Sequence, residues 1–555
     1  MIPNFTSVEK AVRYPSDRRS YLGLKKEVWC IIGLALLGSI GVAWLQYAIW
    51  GLPADPAVTN LPHPNPVSGF PWWLRLSHWV NFFFLVTIIR SGLSILADHP
   101  RLYWNNGSTP GTEWAKFTPV DIPANKIFTA KEDARYISPI WGLPGYRHTV
   151  GLARCWHFIN VPFFLLNGII FVILVFATDH WVRLVPDSFQ VLPDAWSIFV
   201  HYVTLNMPIE PNGFYQYNAL QQLSYFTVVF VLAPISMLSG MAMSPAIANR
   251  FHWFPKMFGN RQGARSVHFL VMVAYVAFTI VHVVMVAATG LVRNMNHIVH
   301  GTDNENDLSG LYTGIGILTF MILFAVSAHW LSWKRPRLLQ RAEQLLNGTL
   351  WALTINRLEP KLFHKKEDIS PYFWPNGKLP ESEEWRALAA DKFENFKLKV
   401  GGLVENPGEF SLAELKALGK EENITMHHCI QGWSGIAEWG GLPISKLIEV
   451  VKPDPSVKTV VFYSFGEGLY GGVYYDTHTL DNCMKQGALL AWEMNYKPLP
   501  ELYGAPIRLR IENQLGYKMV KWIERIDFVT SHTTVGKGYG GKNEDDEYFD
   551  LLAST

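Results

Sequence analysis

Long apolar runs separated by polar stretches fill the chain up to about residue 333, and none follows them. Six of these runs reach the roughly 20 residues that a helix needs to cross the hydrocarbon core of a bilayer. They occupy residues 28–50, 76–96, 158–178, 222–243, 267–291 and 311–333. The apolar stretch between residues 180 and 218 is broken by Pro and Asp, which favours an interfacial loop there. The pattern therefore predicts six membrane-spanning helices.

From residue 334 onward, charged residues become frequent and Pro and Gly punctuate the chain. Period-two alternation predicts short strands in four segments, at residues 396–404, 456–465, 504–511 and 520–529. Helical periodicity appears at residues 411–418 and 444–451. The predicted fold is a six-span all-α transmembrane bundle followed by a soluble α+β domain with mostly antiparallel strands. We expect an N-terminal tail at 1–27, a membrane domain at 28–340, a juxtamembrane helix and linker at 341–384, and a soluble domain at 385–555.

Composition narrows the functional classes. Of 555 residues, 49% are hydrophobic and 17% are charged, and the formal net charge is +2, so nothing global points to a nucleic-acid partner. The four cysteines lie far apart and form no CxxC pair: Cys30, Cys155, Cys429 and Cys483. That spacing argues against a zinc ribbon, an iron–sulfur cluster or a disulfide framework, and the sequence has no CxxCH motif for covalent c-type haem attachment.

Positive charge is concentrated on one side of the predicted membrane domain. Lys and Arg residues crowd the N-terminal tail and the connections after the second, fourth and sixth spans, whereas the opposite connections carry few. Because cytoplasmic loops carry this excess, we expect a multi-pass protein of a bacterial inner membrane, with both termini and the soluble domain in the cytoplasm. The pair Arg18 and Arg19 resembles a twin-arginine export signal. An even number of spans keeps both termini on one side, so we interpret the pair as ordinary inside charge.

Four histidines lie in or at the ends of the apolar runs, where ionisable residues are costly and usually functional. His268 and His282 share a face of the fifth run and lie about 21 Å apart along a helix. His78 opens the second run and His157 the third, and these two helices are antiparallel. His157 therefore lies at the depth of His268 near the cytoplasm, and His78 at the depth of His282. One such histidine alone would be an interface anchor or a core residue, but two pairs matched by depth favour two b-type haems.

Three of the four histidines follow an arginine by one helical turn, namely Arg75, Arg154 and Arg265. An arginine three residues earlier lies on the same helix face, closer to the headgroups, where it could bind haem propionates through charge-assisted hydrogen bonds. Anchoring to lipid headgroups explains the same placement equally well. Arg90, inside the second run, is less usual and reaches either a propionate or the cytoplasmic surface.

Short segments around these histidines resemble a known family. Residues 75–79 (RLSHW), 156–158 (WHF), 217–225 (YNALQQLSY) and 265–269 (RSVHF) resemble the cytochrome b561-like membrane subunits of formate dehydrogenases, hydrogenases and thiosulfate reductases. The resemblance covers spans two to five and implies electron exchange between a catalytic subunit and the quinone pool. It implies two haem b groups whose iron ligands are His78, His157, His268 and His282.

One departure from that family bears on the arrangement. The first span is extra relative to members that begin with the four-helix core, so the core is inverted. We therefore expect the haem of His157 and His268 to face the soluble domain, and the haem of His78 and His282 to lie near the quinone.

Cys429 on its own is a small buried hydrophobe, the common fate of a free cysteine. Its surroundings change that interpretation. Residues 428–434 (HCIQGWS), 439–443, 489–495, 504–509 and 516–522 resemble the sulfite oxidase fold, over about residues 368 to 530. That family binds a molybdenum–pterin cofactor, and its metal-ligating cysteine falls on Cys429. The resemblance thus implies that Cys429 is the molybdenum ligand and the catalytic residue.

The same resemblance implies contacts for the pterin. Arg508, Lys518 and Lys521 fit as partners of its anionic phosphate, and Gly516 allows close backbone approach. Each cation could equally be a solvated surface residue, and only the match to family positions favours binding. The remaining candidates for cofactor binding are His428 and Ser464 and, more weakly, Asn376, Tyr474 and Tyr475.

These features together predict a membrane-bound molybdenum oxidoreductase. Substrate gains or loses an oxygen atom at the molybdenum, and electrons pass between that site and quinone or quinol through the two haems. Neither a haem-carrying b5-like domain nor an immunoglobulin-like dimerisation domain is recognisable. The layout is therefore closer to the bacterial monomeric branch, which includes methionine-sulfoxide reductases served by a separate haem protein.

An alternative remains open at this point. The membrane domain would be a transmembrane electron conduit reacting with a small extracytoplasmic species such as superoxide, with the soluble domain as a docking or regulatory module. The expected partners are membrane lipid, quinone or quinol, and a small-molecule substrate. The direction of electron flow, the substrate, the quinone type and the choice between monomer and homo-oligomer stay open.

Overall fold

The structure is a computed structural model that describes residues 20–21, 24–54, 69–122, 128–135, 137, 140–142, 150–207, 213–355 and 358–551. The arginine pair at positions 18 and 19 and most of the predicted N-terminal tail lie outside these residues.

Six helices in the described part of the chain are long and apolar enough to cross a membrane, which confirms the predicted six-span bundle. Most extend beyond the apolar runs, because their polar end residues continue the helix into the headgroup region. In chain order, spans one to six are Lys26–Trp50, Trp72–Asp98, Val150–Ala177, Ala219–Met243, Arg261–Ala288 and Ser309–Lys334.

Span four contains a π-helical stretch, Thr227–Leu232, which ends two residues before Pro234. Proline cannot donate a backbone hydrogen bond and its ring clashes with the preceding turn, so the helix widens locally instead of breaking. Span three also holds an internal proline, Pro162, without ending there.

The segment between spans three and four is not the loop that the sequence predicts. It holds two helices, Trp181–Leu184 and Val191–Val203. Pro193 and Asp194, which we took as helix breakers, lie in the first turn of the second helix. The backbone N–H groups of a first turn have no acceptor within the helix, so a proline there costs no hydrogen bond. The helix dipole favours an acidic side chain in the same turn, so both residues fit a helix start.

Shorter helices connect the spans on both faces of the bundle. They are Ala130–Asp133, Pro245–Arg250, Trp253–Lys256 and Leu291–Val299. After span six, Pro336–Thr354 forms the juxtamembrane helix. Short strands pair at the same face as the soluble domain, namely Ser20–Tyr21, Leu24–Lys25, Arg101–Leu102 and Ala115–Lys116.

The soluble domain contains two sheets, as an α+β prediction requires. Its strands β1 to β10 are Lys397–Gly402, Gly408–Ser411, Glu421–His428, Ser434–Pro443, Thr459–Glu467, Val473–Thr479, Leu489–Met494, Lys497–Pro498, Arg508–Arg510 and Ile523–Val529. One sheet has the order β6-β5-β10-β1-β2, and the other β8-β7-β4-β3 with β9 also on β7. Only the β10–β1 pair is parallel among these strands.

Helices and turns fill the edges of these sheets. The α-helices are Glu383–Ala390, Leu412–Ala417, Ile444–Val451, Leu480–Met484 and Lys542–Glu547. The 3-10 turns are Lys366–Asp368, Glu501–Tyr503, Gly516–Lys518 and His532–Thr534. The core is apolar and fully buried, with Phe396, Leu398, Trp439, Leu442 and Phe462 among its members.

Hydrogen bonds at several places join the soluble domain to the membrane domain. In the connection between spans two and three, the Ser108 carbonyl accepts a hydrogen bond from Trp374 Nε1 at 2.8 Å. At the other end of the chain, the carbonyl of Phe549 accepts one from Gln340 Nε2 of the juxtamembrane helix at 2.7 Å. The soluble domain therefore lies against the membrane face at which spans two, four and six end.

Candidate functional site

The four histidines form two pairs across the bundle. The ring centroids of His157 and His268, the near pair, are 6.4 Å apart, and those of His78 and His282, the far pair, are 6.2 Å apart. Since an imidazole nitrogen ligates a first-row metal ion at about 2 Å, two imidazoles on opposite sides of one ion have centroids about 6 Å apart. Each pair thus has the separation expected for two imidazoles that bind one metal ion.

Hydrogen bonds orient the near pair. His157 Nδ1 lies 3.2 Å from Ser91 Oγ, and His268 Nδ1 lies 3.0 Å from the Ser236 carbonyl and 3.1 Å from Ser239 Oγ. Partners at Nδ1 fix the ring and leave Nε2 available to a metal, the usual arrangement behind a metal-bound imidazole.

The far pair lacks such support. His78 Nδ1 is buried and has no hydrogen-bond partner in the described part of the chain. The His282 ring stacks instead on Phe278, with centroids 5.5 Å apart, and meets Tyr225 edge-on at 6.0 Å.

One cavity of about 2390 Å³ is lined by all four histidines. Typical small-molecule pockets measure roughly 300–1,000 Å³, so this space accommodates more than one large planar group. Glycines border it beside the near pair: a Cβ at Gly240 would lie 3.4 Å from the His268 ring, and one at Gly92 would lie 3.7 Å from the His157 ring. The residues present therefore fit a haem at each pair.

The three arginines that precede the histidines do not behave alike. Arg154 lines the cavity, and its guanidinium lies 5.0 Å from the centroid of the Phe158 ring. Arg265 also lines it, but donates to the carbonyls of Arg101 and His99, each at 2.7 Å. Arg75 Nη1 donates to the Val299 carbonyl at 2.5 Å and does not line the cavity.

Arg90 contacts a histidine of span six. Its Nη2 lies 2.9 Å from His329 Nε2 of span six. That contact ties span two to span six within the apolar region.

Cys429 lies in a tight loop between β3 and β4. The Cys429 carbonyl accepts a hydrogen bond from Gly432 N at 3.1 Å, and Cys429 N donates to the Trp433 carbonyl at 3.2 Å. Gly432 has φ +106°, in the left-handed region that favours glycine. The sulfur is buried, and burial raises the pKa of the Cys429 thiol to about 12. A cation bound at the sulfur would be needed to hold it as the thiolate at neutral pH.

His428 stands beside this cysteine with both ring nitrogens buried and without a hydrogen-bond partner among the described residues. Burial, followed by the charge of Arg261, lowers the pKa of His428 well below its usual value. Buried polar atoms normally have a hydrogen-bond partner, so this neutral imidazole indicates that a polar group binds next to it. That is the expected surrounding of a polar cofactor near Cys429.

Two of the predicted phosphate partners, buried Arg508 and partly buried Lys521, form no ion pair with another described residue. Arg508 is 3% exposed, donates to the Tyr503 carbonyl at 2.9 Å, and has no partner at Nε in the part of the chain described. Lys521 Nζ donates to the carbonyls of Asn376 and Leu502. Burial and the charge of Arg508 lower the pKa of Lys521. Neither cation has an ion-pair partner among the described residues, so an anionic group would relieve both.

Lys518 is placed differently. Its ammonium is 1% exposed and lies between the carboxylates of Asp476 and Glu544. A phosphate contact would require breaking these two buried ion pairs, so the side chain stabilises the fold instead.

The other predicted contacts occupy supporting positions. A Cβ at Gly516 would lie 2.2 Å from His427 Nε2, so only glycine lets this turn approach His427. Ser464 Oγ donates to the Lys521 carbonyl at 2.7 Å and accepts from Gly466 N at 2.9 Å. The hydroxyl groups of Tyr474 and Tyr475 are engaged by the Tyr517 carbonyl and by the Asp545 carboxylate, respectively.

Span five contacts the Cys429 loop directly, and we call the residues of this contact, Arg261, Gln262, Gly432 and Ser434, the seam. This contact was not predicted from the sequence. Arg261 Nη1 and Gln262 Nε2 of span five donate to the Gly432 carbonyl at 3.1 and 3.0 Å, and Gln262 Nε2 also reaches Ser434 Oγ at 3.0 Å. Cys429 and Gly432 line the same cavity as the four histidines. The helix that carries His268 is thus hydrogen-bonded to the loop that carries Cys429. The sequence signal that could have indicated this contact is the polar pair Arg261-Gln262 directly before an apolar run.

Comparison with known families agrees with this division. Residues 69–301 match the family model of prokaryotic cytochrome b561, and residues 386–535 match that of the oxidoreductase molybdopterin binding domain.

Two curated relatives and one solved structure are similar to parts of the chain. A provisionally named protein-methionine-sulfoxide reductase subunit YedZ1 from Azospira oryzae is 32% identical over 181 residues, covering 33% of this chain and 64% of the relative. The protein-methionine-sulfoxide reductase catalytic subunit MsrP from Xanthomonas axonopodis pv. citri is 33% identical over 175 residues, covering 29% of this chain and 54% of the relative. The sulfane dehydrogenase SoxCD from Paracoccus pantotrophus matches at 20% identity over 26% of this chain and 42% of that chain, with a TM-score of 0.23, too low to support an argument. In each case the chain covers less than two thirds of the relative's own length.

Proposed function

We propose that this chain, which joins a cytochrome b561 domain to a molybdopterin-binding oxidoreductase domain, is a quinol-driven molybdenum reductase contained in one polypeptide. One observation carries the proposal. The Cys429 loop borders the same cavity as the near pair and is hydrogen-bonded to the span that holds His268. Electrons therefore need no separate docking step between a haem subunit and a catalytic subunit.

The soluble domain supplies the oxygen-transfer site in this proposal. A molybdenum–pterin group, when bound, exchanges an oxygen atom with substrate and two electrons with its surroundings. Cys429 binds the metal of this group as a thiolate, and Arg508 and Lys521 neutralise the anionic part of the pterin. The ring nitrogens of His428, which have no hydrogen-bond partner among the described residues, form a polar contact with the cofactor. Lys518 holds the fold of this region through its two carboxylates.

The membrane domain supplies the electron path. The near and far pairs would each hold one haem b, at two depths of the membrane domain. The far pair, surrounded by aromatic side chains, receives electrons from quinol, and the near pair passes them to the Cys429 side.

The names of the relatives favour the reductive direction and an S-oxide substrate. Reduction removes the oxygen of the S-oxide as water, and consumes two protons and two electrons. Oxidation of one quinol to quinone supplies the two electrons. The charge bias of the connections supports a cytoplasmic position for the soluble domain, which protease accessibility in oriented vesicles tests.

The decisive test is quinol oxidation by the full chain in liposomes without oxygen. We expect quinol oxidation on addition of methionine sulfoxide or dimethyl sulfoxide, by protein that contains two haems and one molybdenum per chain. Protein without molybdenum, or with haem well below two per chain, contradicts the proposal. Reduction of the haems by sulfite, with no response to an S-oxide, reverses the proposed direction.

A further inference from the structure

Three elements meet at one edge of the cavity: span three, the juxtamembrane helix and the C-terminal residues 548–551. They bring together Cys155, Glu343 and Asp550, whose sulfur and carboxylate oxygen atoms all lie within 4.8 Å of one another. Glu343 is 9% exposed and Asp550 is partly buried. Glu343 and Asp550 both line the cavity that Cys429 and the near pair share.

Amide groups hold the two carboxylates in place. Asn347 Nδ2 donates to Glu343 Oε1 at 3.1 Å, and Gln344 Nε2 donates to Asp550 Oδ1 at 3.2 Å. No cation forms an ion pair with either carboxylate within the described part of the chain. Amide groups, and not a bonded cation, therefore hold the two carboxylates.

The groups that face this pair are few. Span three contributes Arg154 and the Cys155 thiol, and the soluble domain contributes Tyr517, whose hydroxyl donates to the Asp550 carbonyl at 2.6 Å. The juxtamembrane helix adds only amides there. Two buried carboxylates this close resist ionising together. Burial, and next the charge of Asp550, raise the pKa of Glu343 to about 7, and burial raises the pKa of Asp550.

A short chain of contacts links the pair to the near pair's helix. Asn347 Nδ2, which donates to Glu343, also donates to the Phe158 carbonyl at 3.1 Å. Phe158 directly follows His157, and Arg154 lies one turn before it. The carboxylates thus lie at the electron-transfer end of the membrane domain, not at the quinol end.

We propose that Glu343 and Asp550 form a proton-exchange site whose protonation follows the redox state of the haem bound by the near pair. This inference rests on the proposed function and adds the source of its protons. When an electron derived from quinol arrives at the near pair, the carboxylate pair binds one proton from the solvent. When the electron leaves towards Cys429, the pair releases that proton into the cavity, where reduction of the S-oxide to sulfide and water consumes two protons for every two electrons.

The test is a spectroscopic redox titration of the haems in the complete protein at several pH values. Uptake of one proton per electron lowers the midpoint potential of one haem by about 59 mV for each tenfold fall in proton concentration. We expect this slope for one haem only, and we expect Glu343→Gln and Asp550→Asn each to flatten it. The exposed carboxylate variant Glu367→Gln should keep the slope.

Three results would overturn the proposal. One is a slope that survives in Glu343→Gln protein with both haems bound; if that variant loses haem, Asp550→Asn decides the question by the same criterion. Another is an equal slope for both haems. The third is a divalent metal, at one equivalent per chain, that disappears in Glu343→Gln, since the cluster would then be a metal site. The titration needs no substrate, so its outcome is independent of whether S-oxides support turnover.

Discussion

The near and far histidine pairs have almost the same separation but different surroundings. The near pair is held by three serine contacts at its Nδ1 atoms and lies beside cations at the seam with the soluble domain. The far pair is packed by aromatic rings, and His78 Nδ1 has no hydrogen-bond partner among the described residues.

This difference matches two kinds of electron partner. A partner fixed in the same chain benefits from rigidly oriented ligands, because electron exchange then occurs at a constant geometry. A partner that diffuses within lipid needs an apolar approach, which Phe278 and Tyr225 provide. Under the proposed function, the near pair serves the fused domain and the far pair serves quinol.

Removing one ligand from each pair should give the largest and most unequal effects. His157→Ala should lose one haem and abolish haem oxidation by substrate. His78→Ala should also lose one haem and abolish reaction with quinol, yet the remaining haem should still be oxidised by substrate. Haem content and rapid-mixing spectra distinguish these outcomes. If both variants lose the substrate reaction equally, the two pairs do not have separate partners.

The seam should control the rate between the near pair and the molybdenum site. Replacing Arg261 and Gln262 together by Ala removes both donors to the Gly432 carbonyl and so loosens the contact between span five and the Cys429 loop. We expect slower haem oxidation by substrate with unchanged haem reduction by quinol. Arg293→Ala, which removes an arginine paired with Asp303 at the far end, is the control. If the double variant slows haem oxidation by substrate no more than Arg293→Ala does, the seam does not control this rate.

The serine contacts should matter for haem retention at the near pair. Ser91→Ala combined with Ser239→Ala should weaken haem binding there by about 10- to 100-fold, because second partners of a ligating histidine contribute that much to affinity. Titration of haem into protein depleted of it measures the effect. Ser197→Ala, in the helix Val191–Val203, should leave both affinities unchanged. Equal weakening at the far pair would show a general loss of stability instead.

The smallest expected effect is a difference in haem midpoint potential between variants of two arginines, each of which precedes a histidine of one pair by three residues. Arg154→Ala removes a cation that lines the cavity. The loss of about 1 kcal/mol of charge interaction with the haem should lower the midpoint potential of the near haem by roughly 40 mV. Arg75→Ala should change the far haem less, since Arg75 already donates to the Val299 carbonyl. A redox titration compares them, and a larger shift in the Arg75 variant would invert the assignment.

Much of the membrane domain could be predicted from the sequence. Span length and helical periodicity are local properties, so they placed six helices and matched His157 with His268 and His78 with His282. The helix Val191–Val203 was missed because a proline within an apolar stretch suggests an interruption, whereas Pro193 lies in the first turn of this helix.

Features that depend on distant residues could not be predicted. Lys518 and Lys521 lie in the same short segment, and nothing local shows that only Lys518 meets buried carboxylates from two other parts of the chain. The seam likewise joins Gln262 to Gly432, which are far apart in sequence. Such contacts are set by the packing of whole domains and not by local pattern.

The central claim is that electrons stored on the two haems reach substrate only through Cys429. The most direct measurement is the rate at which an S-oxide oxidises the reduced haems in native protein, in Cys429→Ala and in Cys483→Ala, a buried cysteine of the same domain. We predict oxidation of both haems in the native and Cys483→Ala proteins and none in Cys429→Ala with its haems intact. Equal oxidation in all three would contradict the account, and would favour a conduit that reacts with small molecules without the soluble domain.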